Sequence, residues 1–474
     1  MSNALAANGP NCYRQCGPWT ARRSDHRTGD GQSAWHRGGV FAMVVCCFVL
    51  TIPAWSPETH AEVALYESDR IRIDFAVDAK AVVFLQDNPW FGEAVANIGA
   101  DTGTWAEFAI EPAIYLTFNR VLGGELFGGF SGVGTKNFGE SADGLSVGFD
   151  NPEEATLELA YGGWRRNFGE DVSLEALGGN FDYQIGTGFL IIDGGADGGN
   201  RGGFYLGARS SGRAGALVRL TVGNLLAEGF YIGNNPRREG VRGEIAGGNL
   251  EYDFSGWAKI GATFLQVVDI DNPESGDLRD KLRTYDFRAE ASPIDNLTLS
   301  GELALQRGGD IFDGEGWWVQ AHYAFEHVPF QPTLTYRYAV VTGDDPATPD
   351  DEGFEPLAYG FTDYEQWYQG EITGNWIFSN TNQRTHLIKG SAALTDRLTL
   401  TGAWLNIQLD EPAELGVSSD NFGNEINAFL DWSVNDHLFL SAAAATLFPG
   451  DGAEQFTGGD RTWSHFMFYA SVSY

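Results

Sequence analysis

The last twelve residues of the chain restrict its fold more than any other stretch. In residues 463–474 (WSHFMFYASVSY) every second residue from Phe466 onward is apolar or aromatic: Phe466, Phe468, Ala470, Val472 and Tyr474, with smaller or more polar residues mostly between. A period of two belongs to a strand with unlike faces. The strand stops on an aromatic residue in its last position, as the closing strand of a bacterial outer-membrane barrel does. Taken alone, the stretch also fits an edge strand that happens to be C-terminal.

The same pattern recurs along the chain. IRIDFAVDAK (71–80) sets Ile71, Ile73, Phe75, Val77 and Ala79 against Arg72, Asp74, Asp78 and Lys80. ATLELAY (155–161), NFDYQI (180–185), NLEYDF (249–254), TYDFRAEA (284–291), NLTLSGELALQ (296–306), TLTYRYAV (333–340) and NEINAFLDWSV (424–434) alternate likewise, with Leu157, Leu159, Tyr161, Phe181, Tyr183 and Ile185 read on the apolar side. About 16 to 18 such strands can be counted, and no stretch sustains a period of 3.6. A soluble sandwich would divide a meander this long into several sheets joined by linkers, and no linker stands out. A barrel that meets lipid on one face and a water-filled lumen on the other needs this alternation throughout. The fold class expected is therefore all-β: a transmembrane antiparallel up-and-down barrel of about 18 strands.

Composition agrees with this fold. Glycine is abundant at 62 residues and aromatics make up 13 %, as tight turns and interfacial girdles require. With 64 acids against 30 Lys plus Arg, the formal charge of −34 excludes nucleic acid as a partner, because such binding needs a basic footprint.

Residues 1–61 read as a leader. Val40 to Ala54 is an apolar run preceded by Arg37, too short to span a membrane as a helix, and the pattern is that of a secretory signal peptide cut near Ala61. The residues ahead of it read as an upstream start codon. All four cysteines (Cys12, Cys16, Cys46 and Cys47) fall in this leader, so residues 62–474, the barrel, carry neither a disulfide framework nor a thiolate metal site. Removing the leader takes away five arginines and three acids and leaves 25 bases against 61 acids, near −36.

The connections divide into two kinds. PIDNLTL (293–299), LTDRLTL (394–400) and VNDHLFL (434–440) are short turns with an aspartate that caps the turn locally, and are assigned to the periplasmic rim. Residues 269–277, 342–356 and 410–423 are long and acidic and are assigned to the extracellular side. Their carboxylates lack calcium-loop spacing and are read as solvated charge, so neither metal nor cofactor is expected.

From residue 333 the run TLTYRYAVVTGDDPATPDDEGFEPLAYGFTDYEQWYQGEI resembles the alginate-export family of outer-membrane barrels. So does the tail GNEINAFLDWSVNDHLFLSAAAATLFPGDGAEQF with its closing strand, and more weakly GTGFLIIDGGADGGNRGGFYLGAR (186–209). The resemblance implies a monomeric 18-stranded barrel in the cell outer membrane that passes an anionic polysaccharide or its oligomers through an arginine-rich constriction. Further partners would be outer-membrane lipid and lipopolysaccharide, assembly machinery reading Tyr474, and possible periplasmic export proteins. Arg337 matches a family position. Strand parity adds Arg72, Arg219, Arg288 and Lys389 to the lumen as bases, and Asp286 and Glu371 as acids.

By the same parity acids outnumber bases inside, which keeps open a general or cation-preferring porin for small solutes. A barrel-borne hydrolase would need a nucleophile motif, and none of His322, His327, His386, His437 and His465 sits in one. No enzyme activity is expected. An adhesin or purely structural barrel would show itself by a plugged lumen.

Overall fold

In the computed structural model residues 63–98, 103–139, 153–192, 205–207, 212–233, 243–270, 281–308, 312–357, 367–378 and 380–474 are described. The leader with its cut near Ala61 lies outside the described residues, as do the four cysteines, most of the 269–277 connection and much of the glycine-rich 186–209 stretch.

Nineteen strands form among the described residues. They are β1 (Val63–Glu67), β2 (Ile71–Asp87), β3 (Thr104–Val121), β4 (Gly124–Gly139), β5 (Glu153–Asn167) and β6 (Val172–Phe181). The middle of the chain supplies β7 (Gly212–Val222), β8 (Leu225–Gly233), β9 (Gly243–Asp253), β10 (Ala258–Ile270), β11 (Arg283–Ile294), β12 (Leu297–Gly308) and β13 (Phe312–Ala324). Last come β14 (Thr333–Val341), β15 (Gln383–Thr395), β16 (Leu398–Gln408), β17 (Asn421–Ser433), β18 (Leu438–Pro449) and β19 (Trp463–Ser473).

From β2 onward each strand pairs antiparallel with the next, through β9 with β10 and on to β18 with β19. β19 then pairs with β2, from Ser464↔Asp87 to Ser473↔Asp78, and closes an 18-stranded ring within one chain. β1 is a stub beyond the ring, paired with the start of β2 below the point where β19 ends. At that end Tyr474 N–H donates to Val77 O at 2.9 Å.

The period of two places the side chains. On β3, Ile110 is 54 % exposed on the outer wall while Glu107 on the inner wall is fully buried. Phe118, Val218, Phe264, Phe287, Ile388 and Phe468 continue the exposed apolar surface around the ring. A water-soluble protein seldom leaves more than a few hundred Å² of contiguous apolar surface uncovered. A belt that follows the whole circumference is a lipid-facing surface, and the fold is that of an outer-membrane barrel. Replacing Phe287, in the middle of β11, by arginine is therefore expected to cost about 2–4 kcal/mol of folding free energy in lipid vesicles. Urea titration of the two proteins checks this.

The two ends of the ring differ, as the turns predict. At the end that carries β1 and Tyr474 the connections within the ring run from two residues, at Leu122–Gly123, to eight, at 325–332. The three Asp-containing turns are among them. At the opposite end every connection but 309–311 is longer than these, and 342–382 is the largest.

Several expectations need correction. Phe181, Tyr183 and Ile185, read as an outward face, are buried inside the barrel, because the chain leaves β6 at Phe181 and turns inward. Leu159 is likewise buried, and Tyr161 packs inward, beyond a bulge in the β4–β5 register. Two short helices interrupt long connections: α1 (Ala94–Ile98) and α2 (Asp451–Thr457). Both are too short to show a helical period in the sequence.

Much of the glycine has a steric role on the inner wall. A Cβ on Gly163 would lie 2.6 Å from Phe127 Cζ, on Gly247 2.6 Å from Phe230 Cζ, and on Gly129 2.8 Å from Tyr161 Cε1. In each case a glycine makes room for an aromatic ring from the neighbouring strand, so that sheet curvature and a filled interior are compatible.

Candidate functional site

The bore is crossed by chain. Residues 183–192, after β6, pack with Leu217, Phe230, Leu265 and Trp318 on the wall. Residues 367–378, after β14, straddle the lumen. Trp367 joins that same group, while Tyr368, Ile372, Trp376, Ile377 and Phe378 pack against Phe84, Trp105, Leu405 and Phe429 on the other side. The two segments meet where the Phe189 and Trp367 rings lie 4.6 Å apart and Asn380 Nδ2 donates to Phe189 O at 3.2 Å. Trp367 Nε1 donates to Asn380 Oδ1 at 3.1 Å.

Buried wall carboxylates hold inward chain in place, Glu425 the 367–378 segment and Glu107 residues 205 and 206. Glu425 on β17 accepts from the backbone N–H groups of Ile372 (2.9 Å) and Thr373 (2.8 Å) and from Thr373 Oγ1 (2.5 Å). Glu107 on β3 accepts through Oε2 from the N–H groups of Tyr205 and Leu206, both at 2.9 Å, and through Oε1 from Trp105 Nε1 at 3.0 Å. Two consecutive amides converging on one carboxylate satisfy backbone donors that would otherwise be orphaned in the interior.

The residues singled out by parity fall into separate groups. Arg219 and Arg288 belong to one network on β6–β12. Arg219 donates to Glu228 Oε1 (2.7 Å) and Glu175 Oε1 (3.0 Å). Asn249 connects Glu228 Oε2 (2.9 Å) to Arg288 Nη2 (2.6 Å). Arg288 also bonds Thr263 Oγ1 (2.9 Å), Glu251 Oε1 (3.2 Å) and Asp286.

Arg337 faces inward, as expected, but it does not line an open passage. It is 3 % exposed, donates to Tyr368 O, and its guanidinium lies 4.2 Å from the centre of the Trp367 ring. Glu371 is not on a strand at all. It sits in the crossing segment, 3 % exposed, with Asn375 Nδ2 donating to its backbone carbonyl at 2.9 Å. Burial first and the Glu425 charge second push the Glu371 carboxyl up to about 8. Arg72 is half exposed near the short-turn end and pairs with Asp74 at 2.8 Å. Lys389 lies on the inner face of β15, opposite Thr335, apart from the other bases.

Sequence reasoning missed Glu107, Trp367 and Asn380. For Glu107 a signal was present, since TWAEFAI alternates and places a carboxylate on the inner face.

No protein-family model matches the chain, and no curated protein matches it. Solved structures do. OpdL of Pseudomonas aeruginosa matches with a TM-score of 0.54 at 11 % identity, over 85 % of this chain and 98 % of that one. The outer membrane protein OpdK of the same organism gives the same figures. OccK2 (OpdF) of that organism, solved in complex with glucuronate, matches at 0.52 and 13 %, over 85 % and 97 %. At such identities the likeness is one of fold. It corrects the resemblance drawn from the sequence: the barrels this chain matches are OccK and Opd proteins, and the alginate-export assignment does not stand. Among the described residues, the motifs behind that assignment fall on β14, parts of the connections after β6 and β14, and β17 to β19.

Proposed function

We propose that this protein is an outer-membrane porin through which small solutes diffuse, with a lumen that prefers cations. One observation carries the reading: the inner wall holds more acid than base, and its arginines are spent on it. Arg72, Arg219 and Arg288 each pair with wall carboxylates, and Arg337 is sealed beneath the crossing segment. Asp74, Glu158, Glu302, Glu425 and Asp431 are buried inward beside them. An anion entering such a bore meets negative potential with few unengaged guanidinium groups to receive it.

The fold supports a passage for small solutes over one for polymers, because two chain segments meet inside the bore. A barrel of the same architecture holds glucuronate, a single sugar acid. Ring closure within one chain supports a monomer, Tyr474 at the end of β19 remains the feature for assembly machinery to read, and no catalytic step belongs to the reading.

Planar-bilayer recording under a salt gradient tests it. The expected reversal potential has the sign of cation preference, and shifts toward zero on raising ionic strength as the wall charge is screened. Anion preference would overturn the proposal.

A further inference from the structure

The inner wall of β18, β19 and β2 carries a column of aromatic rings that rises from the short-turn end. Phe439 and Tyr469 have ring centres 6.2 Å apart, Tyr469 and Tyr205 6.3 Å, and Tyr205 and Phe84 5.6 Å, each pair at a steep angle. Phe84 then stacks on Trp105 at 4.5 Å, and Trp376 of the crossing segment meets Trp105 at 5.7 Å. The upper rings are sealed, Phe84 being 2 % exposed and Trp105 1 %. Phe439, Tyr469 and Tyr205 below them are only partly buried. Tyr205 keeps its place because Glu107 receives its backbone N–H.

The register sets polar pairs on both sides of the lower rings. Tyr469 stands opposite Ser441 on β18, whose hydroxyl donates to Asp431 Oδ1 at 2.6 Å. Phe439 stands opposite Ser471, and Ser471 opposite Lys80 on β2. Lys80 Nζ lies 3.6 Å from Glu111 Oε2, and Glu111 Oε1 accepts from Ser131 at 3.0 Å. Half-exposed rings in a water-filled bore leave apolar surface against water, and apolar surface with a few fixed polar groups beside it marks a ligand site.

We propose that Phe439, Tyr469 and Tyr205 form a binding track for neutral saccharides at the short-turn mouth of the bore. A pyranose has an apolar face of C–H groups and a rim of hydroxyls. The face matches the rings, and the rim can join the Ser441–Asp431 and Lys80–Glu111 pairs, which hold donors and acceptors together. An organic cation would also lie over aromatic rings. Lys80 disfavours it, because its ammonium interacts with the Tyr469 hydroxyl and repels a second cation there. A neutral sugar is indifferent to the acid potential of the wall. The inference rests on the porin reading only for its purpose, since it names one class among the solutes that pass.

Titration calorimetry with maltotriose tests it, in a polyoxyethylene detergent that carries no sugar. Saturable binding is expected. Tyr469→Ala and Phe439→Ala should each weaken it about tenfold or more, because the contact surface of a ring is lost. Tyr469→Phe keeps the ring and should stay within about threefold of the wild type. Phe468→Ala, on the lipid-facing side of the same strand, should bind as the wild type does. Wild-type protein that takes up no maltotriose, or binding unchanged in both alanine variants, would overturn the proposal. So would saturable binding of tetramethylammonium in place of maltotriose, which would assign the rings to organic cations. Calorimetry does not depend on conductance, so the track can fail in a conducting barrel and hold in a silent one.

Discussion

Glu425→Ala is expected to widen the passage. The wild-type carboxylate receives two backbone N–H groups and the Thr373 hydroxyl from the segment that straddles the bore. Hydrogen bonds to a charged group contribute roughly 1.5–3 kcal/mol each, and their donors would be left inside the barrel unpaired. Other ties of that segment, among them Arg337 to Tyr368 O, the Glu371 N–H to Asn427 Oδ1 at 3.4 Å and Trp367 Nε1 to Asn380 Oδ1, leave these donors unpaired. Single-channel conductance should rise severalfold with added open-state noise, while the melting temperature of the barrel moves little because its ring of strands is untouched. An unchanged conductance would mean that residues 367–378 do not limit flow.

The second large effect is on pH, and it comes from Glu371. Its carboxyl is pushed up to about 8 in the folded protein from a reference of 4.5. The native state therefore holds a proton that the unfolded chain has released, and the docked segment loses stability as pH rises from about 4.5 to about 8. Below that window both states are protonated; above it both are charged and the loss is complete. Conductance should accordingly climb between pH 5 and pH 8. Glu371→Gln, which stays neutral, should flatten the profile at the low-conductance level. A wild-type profile already flat over that range, or one that falls, would refute this role for Glu371.

Much of the wall could be read from the chain. Alternation gave each inner residue its side, and Arg72, Arg219, Arg288, Arg337 and Asp286 all face inward as parity requires. The short turns around Asp295, Asp396 and Asp436 do gather at one end, but the side chains that cap two of them are neighbours of the aspartates: Thr395 Oγ1 accepts from the Arg397 N–H, and Asn435 Oδ1 from the N–H groups of His437 and Leu438. The occupants of the lumen could not be read. Phe181, Tyr183 and Ile185 alternate as a strand would, but the partner that buries them is the opposite inner wall, and a local pattern does not distinguish lipid from interior. Glu371 failed for a related reason. Parity assigns a face only within a strand, and this residue lies in a connection that folds back through the bore. Arg337 was placed on the correct face, yet its burial depends on Trp367 and Tyr368, thirty residues further along.

The seam between β19 and β2 has a consequence for how the protein comes into being. These two strands meet although their partners stand as far apart as Asp87 and Ser464, so the last ladder of the ring joins almost the whole length of the barrel. Contacts of such sequence separation form late and slowly. Until residues 463–474 arrive, β2 and β18 remain open edges able to pair with strands of another chain. A chain cut short before β19 is therefore a different hazard from a weakened barrel: it has no way to terminate its own sheet, and each copy offers a template to the next.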